Sequence, residues 1–475
     1  MRTKIIILLL LPVFIAISCK KLVETDKPAN KITAKEAWAT NASAASILTK
    51  VYSDMSASAQ MSGGGGISFL SGLLADELTL YAPQVELNTF YVNDVQSKNE
   101  TFLFWSSFYS YIYTANDACE QLSVSKNISD QVRNQLTGEA KFIRAFCYFY
   151  LVNYFGAVPL LTSTDYQVNR LATRSGPKEV YKQIITDLQD AQALLNEDYM
   201  AADVVNTTTE RVRPNKAAAT ALLARAYLYT EDYVNAEIQS TAVIENSKYE
   251  LLPNLNEVFL ANSKEAIWQL QPVVPNRNTK DGDAFILLGV PDFESPAALS
   301  PQLIAAFENK DERRVNWINE VIDGTTYYYY AYKYKIGRNF PEPQALSEYL
   351  MVFRLSEQYL IRAEARARQN KLNGASSAES DLNIIRTRAG LNEIQPASQT
   401  AMLNALEHER QVELFTEWGH RWLDLKRTGR INDVMNNVAI TKGGAWSINK
   451  SLLPIPFESI QYAPGLRGKQ NPGYE

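Results

Sequence analysis

Apolar residues three and four apart dominate this chain, and the pattern predicts helices over most of its length. From Gly138 to Phe155 the residues Phe142, Ile143, Phe146, Cys147, Tyr148, Phe149 and Leu151 leave almost no polar side, as in a helix buried all round. Gly156 stops it, with Pro159 beyond. Ser175 as N-cap and Pro177 just inside open a second helix, whose stripe Val180, Ile184, Leu188, Ala191 and Leu195 marks one face. An alanine-rich helix from Pro214 to Tyr229, a turn over Thr230 to Asp232, and a helix from Tyr233 to Glu245 form a helical hairpin. In it Ala224, Tyr227 and Ala236 fall where a tetratricopeptide repeat places small, aromatic and small residues so that paired helices approach closely. Arg354 to Gln369 with Ala378 to Ala389 repeats the arrangement more weakly. The expectation is a mostly α fold, a tetratricopeptide-like helical repeat scaffold with an irregular loop-rich part and short β-hairpins.

That loop-rich part is read where the helical period fails. Gly63 to Gly66 reads as a flexible loop, Tyr81 to Asn99 alternates aromatic and polar residues, and Pro272 to Pro301 is rich in turn formers. Trp317 to Ile322, the Asp323-Gly324 turn and Tyr327 to Lys335 predict a β-hairpin. On its second strand Tyr328, Tyr330, Tyr332 and Tyr334 share one face, and Tyr327, Tyr329, Ala331, Lys333 and Lys335 the other, which the lysines mark as the wetter.

Charge narrows the function. Forty-seven basic against 52 acidic residues give a net charge of −5, so there is no electrostatic reason for a nucleic acid partner. Twenty-six tyrosines against 18 phenylalanines mean many rings whose hydroxyl seeks water or a polar ligand, hence a wet aromatic surface. His408 and His420 are the only histidines and neither has a second ligand at metal spacing, so no metal and no cofactor are expected.

Arg2 and Lys4 precede an apolar stretch from Ile5 to Ile17, too short for the roughly 20 residues that span a bilayer but suited to a secretory signal. Ala16-Ile17-Ser18-Cys19 resembles a bacterial lipobox, in which Cys19 becomes the lipidated N-terminus. The expected organisation is a signal peptide over 1–18, a lipid-anchored tether over 19–35 and one composite domain over 36–475, with ligand loops around 62–104 and 272–345. Export permits a disulfide between Cys119 and Cys147, but two buried free thiols are the favoured reading.

Three motifs then carry a resemblance. Gly138-Glu139-Ala140-Lys141-Phe142-Ile143-Arg144-Ala145 through Tyr154-Phe155-Gly156-Ala157-Val158-Pro159-Leu160 is similar to the core helix of the SusD/RagB outer-membrane nutrient-binding lipoproteins. Glu409-Arg410, Glu413-Leu414, Glu417, Gly419-His420-Arg421-Trp422 and Asp424-Leu425 resemble that family's second motif, from which Trp418 departs. Leu453-Pro454-Ile455-Pro456 and Gln470-Asn471-Pro472-Gly473-Tyr474 resemble its C-terminal motif. The resemblance implies a lipid-anchored protein on the outer membrane, facing the exterior. Its role would be non-catalytic, capturing an oligosaccharide, or in some members a peptide, for a SusC-like TonB-dependent transporter.

Glu409, Glu413 and Glu417 recur every four residues and invite comparison with glycosidase carboxylates. Those must flank a bond from opposing walls roughly 5 to 9.5 Å apart, whereas neighbours on one helix face point the same way. A structural network with Arg410, His420, Arg421 and Arg427 is the favoured reading, and no catalytic residue is assigned. A secreted glycan-degrading enzyme and a helical-repeat adaptor are the readings from other classes. For binding, Tyr81, Tyr91 and Asn93 in the early loop, and Trp317, Tyr327 and Tyr329 from the hairpin, offer rings and amides suited to sugar faces and hydroxyls. The resemblance implies that these two regions lie near each other. Packing against a neighbouring loop competes at each position. Asp76, beside Glu77, is a candidate for a ligand hydroxyl or a loop cap, and Trp105, Trp422 and Trp446 are assigned to the core.

Overall fold

The computed structural model describes residues 34–98, 104–338 and 345–474. The predicted signal, Cys19 and nearly all of the predicted tether lie outside the described residues. No described helix is long and apolar enough to cross a membrane.

Eight helices form the scaffold: Trp105–Val124, Asp130–Phe155, Pro177–Leu194, Lys216–Tyr229, Tyr233–Ile244, Leu355–Arg368, Ala378–Arg388 and Gln399–Glu413. They stack mainly on their neighbours in this order, except that Leu355–Arg368 contacts Tyr233–Ile244 on one side and both later helices on the other. The alanine-rich member shows why the stack is close. Every residue from Ala217 to Leu228 is buried, because small side chains let helices approach from several sides at once. Gly156 ends the long helix at φ +70°, as the stop signal predicts. The long helix begins at Asp130, a full two turns before the predicted start. Gly176, and not Ser175, caps the next helix, and Asn215 caps the alanine-rich one through Ala218 N–H.

Among the described residues, four two-stranded antiparallel ribbons accompany the helices. Leu78–Leu80 pairs with Ala297–Leu299, Val158–Pro159 with Arg174–Ser175, and Ala266–Leu270 with Leu350–Arg354. The predicted hairpin is present as Ile318–Asp323 against Thr326–Ala331, with Asp323 opposite Thr326 and Gly324 at φ +59° in the turn. Two loop readings change. Tyr81 to Asn99 contains a helix, Val85–Tyr91, whose Leu87 and Phe90 are buried. Gly63 to Gly66 is a tight turn: Gly66 N–H donates to Gly63 O at 2.8 Å, and the buried Gly63 N–H donates to Asp281 Oδ1 at 2.7 Å. Cys119 and Cys147 are both free, Cys147 buried and Cys119 half-buried.

The three motifs meet in space. Leu453 N–H donates to Tyr154 O at 2.7 Å, and Asn471 Nδ2 donates to both Phe155 O and Leu453 O, tying the C-terminal motif to the end of the long helix. The indole of Trp418 packs edge-on to Phe146 and donates to Met351 O, so the departure from the family pattern is a buried anchor.

Candidate ligand-binding surface

The hairpin sorts the candidate residues by distance from its turn. At the root, Trp317 precedes the strand and is fully buried, its indole N–H donating to Leu255 O at 2.9 Å. It offers no face to a ligand, which corrects the expectation for this residue: its ring is sandwiched among Phe259, Lys333, Arg354 and Arg388. Lys333 is buried as well, so the second face of the strand is not the wetter one there. Its Nζ donates to Glu413 O, Phe415 O and Glu417 Oε1, with the Phe415 ring 3.9 Å away. Burial pulls its pKa down to about 8, against the opposing pull of Glu417.

Beneath the root sits the acidic helix end. Glu409, Glu413 and Glu417 are buried in an ionic network, as expected, but with other partners, and Glu417 lies in the turn past the helix Gln399–Glu413 instead of on its face. Arg313 reaches Glu409 and Glu413 at 2.6 and 2.9 Å. Arg354 reaches Glu265, Glu413 and Glu417 at 3.0, 2.5 and 2.8 Å, and Arg388 joins Glu265 and Glu413. The arginines named from the sequence pair elsewhere: Arg410 with Asp424, Arg427 with Glu364 and Asp424, and Arg421 with Asp76. Arginine charge holds Glu413 well below the usual carboxylate range despite its burial. His420 is buried 4.0 Å from Glu357, and burial together with Arg225 keeps its imidazole neutral. These carboxylates face arginines and backbone in the interior, where no sugar reaches.

Two early-loop candidates are also structural. Asp76 is buried and accepts a bidentate pair from Arg421 at 2.8 and 2.7 Å. Asn93 is buried at φ +54° and donates through Nδ2 to Leu74 O, which is loop bracing. Tyr91 is half-buried with Lys442 over one face of its ring at 5.2 Å. Trp105 and Trp422 are in the core as assigned, and Trp446 is half-buried, edge-on to Trp422.

Away from the root the Tyr81 and Tyr327 side chains are exposed, while Tyr328 and Tyr329 are half-buried. Tyr81 is 43% exposed and meets Tyr328 edge-on at 5.0 Å, so the early loop and the hairpin do come together. The junction is built by backbone: Tyr81 and Ala82 N–H both donate to Pro296 O, next to the strand paired with Leu78–Leu80. On the reverse face of the strand Tyr327, 50% exposed, stacks against Tyr329 with ring centres 6.1 Å apart and 17° between planes. Arg314 covers Tyr329 at 4.4 Å.

Beside Tyr81 a recess of about 490 Å³ is lined by Gln84, Leu87, Phe293, Glu294, Pro296 and Arg338 among others. Phe293 is 77% exposed on a turn that is braced from two sides. Asp292 Oδ1 accepts from Glu294 and Ser295 N–H, and Arg338 donates to Glu294 O and Ser295 Oγ. Gln84 Nε2 donates to Phe293 O, and among the described residues its Oε1 accepts no hydrogen bond. Phe293, Tyr328, Gln84 and Arg338 were missed in the sequence. The one available signal was Phe293, an exposed-type aromatic between Pro291 and Pro296 in a stretch already read as turns.

A sequence profile described as "Starch-binding associating with outer membrane" matches residues 27–228, and one described as "SusD family" matches residues 308–474. The chain belongs to the SusD/RagB family. SusD-like protein P2 of Formosa agariphila is 28% identical over 445 residues, covering 82% of this chain and 83% of that protein. A SusD superfamily structure from Parabacteroides distasonis superposes with a TM-score of 0.77 at 23% identity, over 94% of this chain and all of the other. A solved laminarin-binding SusD-like protein gives a TM-score of 0.72 at 25% identity, over 90% and 98% of the two chains. As a SusD/RagB protein the chain is a member of a glycan-binding family associated with the outer membrane. The fold shared with these structures extends over nearly the whole chain, beyond the helical scaffold.

Proposed function

We propose that this SusD/RagB protein captures a neutral oligosaccharide on the surface formed by Tyr81, Tyr328 and Phe293, with Tyr327 and Tyr329 on the reverse face of the hairpin, and passes it to a SusC-like TonB-dependent transporter. The observation that carries this reading is the braced recess beside Tyr81, where the exposed Phe293 ring stands next to the Gln84 amide, whose Oε1 accepts no hydrogen bond among the described residues. Flat rings cover the apolar faces of sugars, and a few fixed polar groups orient them. A peptide is the weaker alternative, because Arg338 and Glu294, the charges at the recess, already neutralise each other. A hydrolytic role lacks support, since the acidic triplet is committed to arginines in the interior. Lipidation at Cys19 would hold the protein at the membrane, and Cys19→Ala should release it from the membrane fraction.

Calorimetric titration of the purified protein against soluble neutral glycans, laminarin first, tests the reading. Saturable binding with unchanged glycan chain length is expected. Absence of binding across the set, or shortening of a bound glycan, would overturn it.

A further inference from the structure

A second cleft, sharing no lining residue with the recess beside Tyr81, lies where the start of the helix Trp105–Val124 meets the C-terminal helix Phe457–Tyr462. Its volume is about 500 Å³, inside the range of about 300–1,000 Å³ usual for small-ligand sites. We infer that this cleft is a second carbohydrate-binding site, one that takes sugar residues of the same neutral glycan. The inference rests on the glycan-binding reading above and adds a site to it.

The floor is rigid. The Trp105 ring is fixed against Tyr109 and Phe155, each at 4.9 Å between ring centres, and Tyr109 Oη donates to Pro159 O at 2.8 Å. The rim is different in kind. Tyr166 and Tyr462 are 71% and 73% exposed, and among the described residues neither side chain makes a hydrogen bond or ring contact. Two tyrosines held out in water at the mouth of an aromatic-floored cleft offer free faces to a ligand and gain nothing from the fold.

Among the described residues the polar groups keep hydrogen-bonding capacity where a sugar would meet them. Asn169 donates Nδ2 to Ser163 O at 2.7 Å, which leaves Oδ1 free to accept. Arg170 uses Nε on Gln167 at 3.0 Å, which leaves its two terminal nitrogens free to donate. Glu458 and Ser459 line the opposite wall with no side-chain bond of their own among the described residues. One positive and one negative side chain balance, so the cleft does not select a charged ligand, and the number of hydrogen-bonding groups is wrong for an acyl chain. A neutral molecule with apolar faces and many hydroxyls fits both halves of this lining.

One end of the cleft is closed by an unusually close backbone contact. A Cβ on Gly465 would lie 2.1 Å from Ala172 O, so only glycine lets the C-terminal wall seat against the segment after Tyr166–Asn169. Two sites on one protein would make binding of a long chain partly intramolecular, and avidity would rise with glycan length without any new contact.

The test compares the wild type, the double variant Tyr166→Ala/Tyr462→Ala, and Tyr81→Ala, titrated with laminarihexaose and with polymeric laminarin. The wild type should bind two hexasaccharides and the double variant one, with an affinity for the polymer at least about tenfold weaker and an unchanged unfolding midpoint. Tyr81→Ala should weaken the other site alone. A wild type with a single hexasaccharide site that only Tyr81→Ala weakens would overturn the second site and leave the glycan reading standing. A wild type that binds neither probe would overturn that reading and this inference with it. Unchanged glycan binding in the double variant, with loss of an outer-membrane barrel from mild-detergent preparations, would make the cleft a protein-docking surface and overturn the inference.

Discussion

Tyr327 and Lys333 stand six residues apart on one segment, and they occupy opposite environments. Tyr327 lies beside the hairpin turn, half in water, next to a parallel Tyr329 ring. Lys333 lies beyond the strand end at Ala331, enclosed by three aromatic rings and two backbone carbonyls. The alternation of tyrosine and lysine gives no hint of this, because it does not record where the strand stops. Past Ala331 the chain leaves the ribbon and drops onto the end of the acidic helix. The root is a set of charges that satisfy each other, and the tip is a set of rings that touch one another and leave part of their faces in water. A ligand surface mounted this way is held by interior ion pairs that the ligand never touches.

The comparison breaks most visibly at the root. Arg354→Ala removes the one cation that Glu265, Glu413 and Glu417 all share, leaving Arg388 on the first two and Lys333 on the third, and removing one partner of a buried pair costs about 3–5 kcal/mol. Trp317→Ala should cost about the same, since truncating a buried large aromatic costs about 3–5 kcal/mol. Chemical denaturation of each variant checks this. A loss below about 1 kcal/mol in both would mean that the root does not hold the hairpin.

A smaller, pH-dependent effect belongs to Glu77, at the base of the early loop. Burial, with Asp76 beside it, raises its pKa from 4.5 to about 8, although Thr416 N–H pulls the other way. The folded state therefore holds a proton that the unfolded chain releases above about pH 4.5, so this contribution to stability falls as pH rises towards 8. One proton corresponds to a slope of at most about 1.4 kcal/mol per pH unit. Glu77→Gln should flatten the pH dependence between pH 5 and 8 relative to the wild type. Parallel curves for the two proteins would show that Glu77 is ionised in the fold.

How far the sequence could be read follows the same division. The helix pairs were legible because their spacing is local: Val180, Ile184, Leu188 and Ala191 are all buried on one face. The position of the hairpin turn was legible from Asp323-Gly324. The fate of Trp317 was not, because burial there depends on Leu255, Phe259 and Arg388, which come from distant parts of the chain. The acids were correctly read as a structural network, but only Glu409 and Glu413 share the helix Gln399–Glu413, and Glu417 lies in the turn beyond it. Their partners escaped because Arg313 and Arg354 lie 96 and 59 residues from the glutamates they meet, and no spacing rule spans that. Phe293 escaped for the opposite reason, since a single ring in a turn has no period to reveal it.

At the tip the expected change in stability is smallest. Tyr81→Ala, Phe293→Ala and Tyr327→Ala remove rings that are between 43% and 77% exposed, so each should move stability by no more than about 0.5 kcal/mol.

The most direct measurement of the central claim pairs two readings on one set of proteins: glycan affinity and unfolding free energy for the wild type, Tyr81→Ala and Phe293→Ala. Stacking of a flat ring on an aromatic side chain is worth about 1 to 3 kcal/mol by the scale known for nucleic acid bases. Affinity losses of that order, roughly fivefold to a hundredfold or more, are expected, with stability unchanged. Unchanged affinity in both variants, on a protein that binds the glycan, would contradict it and move the capture surface away from Tyr81 and Phe293.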